Sequence, residues 1–331
     1  MSRVARWVAF WDEREPPTLL ASIRIAVALV MLVDLVAIRW HGVATWLWAP
    51  FEAGGILGWD AANAPAFYRL LPATAGSAQL LWLGLTLSLL CVGTGFCMRG
   101  GALVYVWLSA QAALINGPAD RAIDRAIRIM MLILVLSPAA QVWSIEARLK
   151  TGRFRGSLAP APAWPRYLIL GQLVLIYFGA GLAKGGTYWY PWGGYRALYL
   201  TLQDPILAAA DFHWLARPLP FWLTRVATAV THLWELSAPL VLLAAYCRRT
   251  RERSGWLRRI FVLLPVRNLY VALGVAFHLT LALTLRLGVF PFAMLACFPA
   301  FFRPAELERG IERLHALSAR AFSRPRRVPN A

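Results

Sequence analysis

Of the 34 basic residues in this 331-residue chain, 32 are arginine and only two are lysine, Lys150 and Lys184. Lysine differs from arginine in that, once desolvated, it can give up its proton and act as a base. Lys184 closes the stretch Ile176–Tyr177–Phe178–Gly179–Ala180–Gly181–Leu182–Ala183–Lys184–Gly185–Gly186. Three small residues open space around the end of this apolar run, and two glycines terminate it. The same position also suits an interfacial lysine reaching outward beside an aromatic belt.

Further ionisable groups fall inside apolar segments, where each must be paired or functional because lipid makes an isolated charge expensive. Thr224, Arg225, Thr228, Thr231, His232 and Glu235 recur at helical spacing and form a polar stripe on an apolar helix. His232 and Glu235 without a third ligand do not make a metal site. His278 stands alone among small and apolar neighbours, Gly274, Val275 and Phe277, which suits either a hydrogen-bonded packing residue or a proton carrier. After Asn116–Gly117–Pro118 come Asp120, Arg121, Asp124, Arg125 and Arg128. Asp124 and Arg128 are spaced to pair at i, i+4. Three arginines there suit either an anionic substrate or an ion-pair network tying helices together, and Arg24 and Asp34 in the first apolar segment are further candidates for pairing.

The elements that hold these residues are membrane helices. Hydrophobic residues make up 59% of the chain, charged residues 15%, and mean hydropathy is +0.55, far from the roughly 45–50% and 25% of soluble domains. A net charge of +18 therefore does not imply a nucleic-acid partner. Spans of about 20 apolar residues are expected near 18–38, 78–96, 100–116, 123–142, 167–184, 221–246, 269–285 and 287–302. This is an all-α polytopic bundle of about eight helices, within a range of seven to nine because the last two are short and nearly abut. Residues 1–17 form a cytoplasmic segment, 18–303 the transmembrane domain and 304–331 a basic cytoplasmic tail. With an inner N-terminus, 23 of the 34 basic residues lie inside, so both termini are placed in the cytoplasm. Runs such as Arg248–Arg249–Thr250–Arg251 and Arg324–Pro325–Arg326–Arg327 then serve topology and attract anionic lipid. Two outer segments, 41–77 with Trp46, Trp48 and Trp59, and 185–220 with Tyr188, Trp189, Tyr190, Trp192, Tyr195 and Trp214, are expected to lie in the headgroup belt or to form the mouth of a site for an amphipathic ligand. The four cysteines sit in apolar runs without metal-ligand spacing.

In their order and spacing, several motifs resemble the horizontally transferred transmembrane (HTTM) domain of vitamin K-dependent γ-carboxylases, including its bacterial members. They are Tyr177 to Lys184 with Trp189, Phe277–His278, Gly288–Val289–Phe290–Pro291, Met294–Leu295–Ala296, Asp124 to Arg128 through Leu136–Ser137–Pro138 to Trp143–Ser144, and Leu233–Trp234–Glu235–Leu236. The resemblance covers about residues 16–304. It implies a helical membrane enzyme that couples oxidation of a reduced naphthoquinone, of menaquinol or vitamin K type, by O2 to carboxylation of glutamate with CO2. Lys184 is the implied base toward the quinol and His278 its orienting partner. Phe178, Gly181, Trp189 and Phe277 would line the cofactor, with Glu235, His232, Asp124, Arg128, Arg121 and Tyr177 as the supporting polar network. The implied site faces the extracytoplasmic side of the bacterial inner (plasma) membrane, and neither metal nor haem is expected. Ala183 replaces a second lysine of the animal enzymes, and their large extramembrane domain has no counterpart. A separate protein would then supply substrate recognition, with membrane lipid as the other partner. A non-catalytic quinone- or lipid-binding protein, or a membrane subunit for a partner, is the alternative reading.

Overall fold

A computed structural model describes residues 2–56, 64–310, 312 and 313. Trp59 and the basic tail beyond residue 313 lie outside the described residues. The helices are α1 (Arg3–Trp11), α2 (Thr18–Trp40), α3 (Ala44–Trp48), α4 (Ala66–Leu70), α5 (Ala75–Thr94), α6 (Met98–Ile115), α7 (Ala122–Val135), α8 (Ile145–Thr151), α9 (Trp164–Ala183), α10 (Ala197–Gln203), α11 (Pro218–Leu236), α12 (Ala238–Arg249), α13 (Trp256–Leu263), α14 (Val266–Thr284) and α15 (Phe290–Ala296). One two-residue antiparallel ladder joins β1 (Arg14–Glu15) to β2 (Ala161–Pro162). The chain is an all-α membrane bundle.

By length and apolar content, α2, α5, α6, α9 and α14 are each sufficient to cross a bilayer, and the α11–α12 pair makes a sixth when counted as one bent span. Three of the eight expected spans therefore differ from the sequence reading. The helix expected over 123–142 stops at Val135, ahead of Leu136–Ser137–Pro138, because a proline disfavours helical geometry at the residue before it. Its 14 residues reach about 21 Å, short of the roughly 30 Å hydrocarbon core. The helix expected over 221–246 breaks at Ser237 with a 49° bend. Pro239 accounts for the break, since it lacks an N–H and its ring crowds the carbonyl four residues back, that of Glu235. The stretch expected over 287–302 resolves into α15 and a 3-10 turn, Phe298–Phe301.

One continuous apolar core joins α2, α5, α6, α7, α9, α11, α12, α14 and α15. Small residues allow the tightest approaches. A Cβ on Gly101 would fall 2.7 Å from that of Cys91, and one on Gly274 would fall 2.8 Å from the rings of Phe298 and Trp234.

Among the described residues, Arg24 is the largest side chain completely buried. The sequence suggests an acidic partner, but the structure gives it backbone carbonyls instead. Its guanidinium donates to Val92 O at 2.7 Å, Gly93 O at 2.8 Å, Ala139 O at 3.2 Å, Val142 O at 3.5 Å and Trp143 O at 2.7 Å. These are carbonyls freed where α5 ends and where the chain turns before α8, so one cation satisfies acceptors that helix termini leave open. The other anticipated partner, Asp34, is ion-paired with Arg121.

Candidate functional site

Lys184 caps α9 and its Nζ stands 2.5 Å from Oε2 of Glu235 on α11. The carboxylate side chain is 5% exposed and the ammonium side chain 19%. The ammonium also lies 4.9 Å from the centroid of the Trp189 ring and donates to Ala180 O at 3.4 Å. A carboxylate, an aromatic face and a helix C-terminal carbonyl each attract a cation. The surroundings of Lys184 are those of a paired charge, not of a residue reaching into the headgroups.

Glu235 belongs to the polar stripe read from the sequence, and the structure brings that stripe together. Thr224, Thr228, His232 and Glu235 are buried, whereas Arg225 is exposed. The aromatic segment after Lys184 packs along this stripe. His232 Nδ1 lies 3.3 Å from Trp189 O, Arg225 Nε donates to Gly194 O at 2.6 Å, and the Leu198 N–H donates to Thr228 Oγ1 at 3.2 Å. His232 further packs edge-on against Trp189 and Tyr190. Glu235 is about 26 Å along α11 from Pro218 at 1.5 Å per residue. That is close to the midpoint of the bent α11–α12 pair and beside its break. The pair thus joins the C-terminal end of α9 to the far end of α11, with residues 189–199 packed against the α11 face between.

A second pair adjoins the first. Tyr177 lies two turns before Lys184 on α9, and its hydroxyl is 2.7 Å from His278 Nε2 on α14. Both residues are buried, His278 completely. Around them stand Trp234, with its ring 4.7 Å from that of Tyr177, and Tyr270 and Phe298, each at 6.3 Å. Trp234 fixes this wall by donating Nε1–H to Tyr270 O at 3.0 Å. Because Trp234 and Glu235 are consecutive, one turn of α11 supplies both the aromatic wall and the carboxylate. Two buried polar atoms here, His278 Nδ1 and the Tyr270 hydroxyl, have no hydrogen-bond partner among the described residues. Buried polar groups are nearly always satisfied, so these two atoms are open positions for a water or a ligand group.

The remaining expected residues divide. Phe277 packs 5.1 Å from both Trp234 and His278 and so belongs to the wall. Phe178 is half-buried against the core. Gly181 serves helix packing: a Cβ there would meet Leu236 side-chain and backbone atoms at 3.0–3.1 Å. Sequence reasoning quoted Trp234 only within the Leu233–Leu236 motif and gave it no role, and it did not single out Tyr270 or Phe298. The available signal was spacing, since Trp234 adjoins Glu235 and Tyr270 lies eight residues, about two turns, before His278.

Asp124, Arg121 and Arg128 form a separate group. Arg121 bridges Asp34 at 2.5 Å and Asp124 at 2.9 Å. The anticipated Asp124–Arg128 pair does not form; Arg128 instead binds Asp120 at 2.9 Å, together with Arg125. The reason is that Asp124 turns back to cap its own helix, accepting from the Arg121 backbone N–H at 3.0 Å. Burial raises the Asp120 carboxyl pKa, but hydrogen bonds from Arg128 and Arg125 outweigh it and hold the group below its ordinary value. Of the two readings offered by the sequence, these three arginines match the ion-pair network. Among the described residues no hydrogen bond or ion pair links this group to Lys184 or Glu235.

A bundle with several apolar spans, a charge pair buried within it and an aromatic wall beside that pair defines a polytopic integral membrane protein. The HTTM domain profile matches residues 13–253, and the chain belongs to the HTTM family. That match contains Lys184, Glu235, Tyr177, Trp234 and the whole aspartate–arginine network, while His278 and α14 lie beyond it. No solved structure matches the chain.

Proposed function

We propose that this protein is a membrane-embedded enzyme that binds a reduced naphthoquinone and couples its O2-dependent oxidation to abstraction of a proton from, or carboxylation of, a further substrate. The observation that carries this reading is the Lys184–Glu235 pair, 2.5 Å apart and buried beside the break of a bent span. A lysine and a glutamate held in contact can redistribute one proton between them. Passing the ammonium proton to Glu235 leaves a neutral amine and a neutral acid, a state that a medium of low polarity tolerates better than separated charges. Lys184 then has a lone pair to offer, and Glu235 has a proton to return.

The residues present fit a quinol. Trp234, Phe277 and Tyr270, packed on one another, would supply an apolar wall, and the orphaned His278 Nδ1 and Tyr270 hydroxyl would supply hydrogen bonds to a ring-borne oxygen. A bound quinol supplies ionisable hydroxyls and two electrons. Tyr177 holds His278 through Nε2 and leaves Nδ1 without a partner, the atom that would bind a quinol oxygen. The segment 189–199 packs on the α11 face that carries Thr228 and His232. In this reading the protein resides in the bacterial inner membrane with both termini cytoplasmic, and another protein presents the substrate.

The test is O2-dependent menaquinol oxidation by purified protein in liposomes. Lys184→Ala and Lys184→Arg should each lower turnover by 10²–10⁴-fold, the usual contribution of a positioned base, while the protein still inserts and folds. Turnover unchanged in Lys184→Arg would overturn the assignment. The alternative, a non-catalytic quinone- or lipid-binding protein or membrane subunit, draws support from one observation: the Lys184 ammonium already has three partners. It expects Lys184→Arg to be harmless, and a phospholipid rather than a menaquinone in the lipid extract of the purified protein.

A further inference from the structure

A pocket of about 330 Å³ lies against the aspartate–arginine network, between α2, α3, α5, α6 and the start of α7. Neither Lys184, Glu235 nor His278 lines it. Much of its lining is apolar, with Met31, Leu35, Leu47, Leu85 and Ala112 among the contributors, and its polar part includes Asp34, Asp120, Arg121 and Asp124. The volume falls at the lower end of small-molecule sites, about 300–1,000 Å³, and equals about eleven water volumes. It suits one short chain, not a two-chain phospholipid.

The charges along the rim decide the head group. Asp34 and Asp124 hold Arg121 between them, and Asp120 holds Arg125 and Arg128. Three carboxylates are thus matched by three guanidinium groups. An anionic head would compete with the aspartates for their arginines, and a cationic head would compete with the arginines for their aspartates. A neutral head that donates O–H displaces nothing. An ionised carboxylate has about four acceptor positions, and Asp34 uses two, both for Arg121. We propose that this pocket binds an uncharged, hydroxyl-bearing amphiphile with a single medium-length chain. Its hydroxyls bind the spare positions of Asp34, and its chain lies among Met31, Leu35 and Leu47.

Three tail-matched probes test this on the purified full-length protein in detergent: 1-decanoylglycerol, decanoate and decylamine, read by thermal unfolding. Decanoylglycerol should raise the unfolding midpoint at concentrations at which the other two do not. Ala112→Phe, which fills the pocket, should need at least tenfold more decanoylglycerol for the same shift. If that variant does not fold, a decanoylglycerol carrying a diazirine on its chain decides the matter in the wild-type protein. Label, located to the residue, should fall on Met31 or Ala112 and be competed by excess unlabelled decanoylglycerol. An equal or larger shift with decanoate or decylamine overturns the neutral head. Uncompeted label spread over lipid-facing Leu29, Val33 and Leu83, exposed by 60%, 55% and 42%, overturns the pocket.

Discussion

If Lys184 and Glu235 form one unit, removing either should cost far more than removing both. At 2.5 Å and an effective dielectric of about 20, the attraction between two unit charges is about 6–7 kcal/mol. Much of that only offsets the loss of hydration. What remains visible in a single variant is the penalty of a buried charge left alone, which for buried pairs is about 3–5 kcal/mol. Lys184 keeps one fifth of its side-chain exposure and Glu235 one twentieth. Lys184→Met, which strands the deeper carboxylate, is therefore expected near ~4 kcal/mol. Glu235→Leu, which strands an ammonium that can still reach some water and the Trp189 face, is expected near ~3 kcal/mol. The double variant Lys184→Met with Glu235→Leu should lie within about 1 kcal/mol of wild type, giving a coupling of roughly 6–8 kcal/mol across the cycle. The assay is unfolding of each variant by SDS in mixed micelles. Additive losses, with a coupling below about 1 kcal/mol, would refute a shared buried charge pair and with it the proton-sharing argument.

Outcomes at four further positions follow from the rest of the bundle. Arg24→Ala should destabilise by at least ~3 kcal/mol in the same assay, because five carbonyls lose a charged donor; Arg24→Lys should recover only part, since an ammonium cannot reproduce the guanidinium fork. Gly95 has φ +68°, and a Cβ there would lie 2.3 Å from that of Ser144 and 2.7 Å from Arg24 Nη1, so Gly95→Ala should cost more than ~2 kcal/mol. By contrast, Gly171→Ala within α9, where a Cβ meets nothing within 4 Å, should be neutral or stabilising by up to ~1 kcal/mol. The folded Asp120 carboxyl titrates below its unfolded value, so its stabilisation is fully present above the unfolded pKa of ~3.9 and is lost as pH falls through the folded value. Asp120→Asn should accordingly lower stability at pH 7 and flatten its decline below about pH 4, measured as the unfolding midpoint against pH.

Hydropathy revealed the spans whose apolar run and helix coincide, α2, α5, α6, α9 and α14. It failed where the run continues but the backbone does not. Pro138 and Pro239 interrupt apolar sequence that a sliding window treats as continuous, so α7 is short and α11 bends away from α12. At the site, helical periodicity marked the stripe containing His232 and Glu235, and the scarcity of lysine marked Lys184. That these two helices meet, with Nζ on Oε2, is a long-range fact that neither periodicity nor composition contains. The same limit explains Asp124, whose i, i+4 partner lost to a cap on its own helix, and Arg24, whose partners are carbonyls and therefore carry no signature in the sequence.

The Arg24 clamp bears on how the bundle is assembled. A charged arginine costs up to about 2.5–3.5 kcal/mol to leave in lipid, the value at a helix centre, and less toward a helix end; for Arg24, in the second turn of α2, the acceptors that remove the cost are 68 to 119 residues further along the chain. During synthesis α2 therefore carries an unmatched charge until α5 has ended and the turn at 139–143 has emerged. Its stable residence in the bilayer is conditional on later chain, and a nascent product cut before residue 139 should hold α2 only loosely.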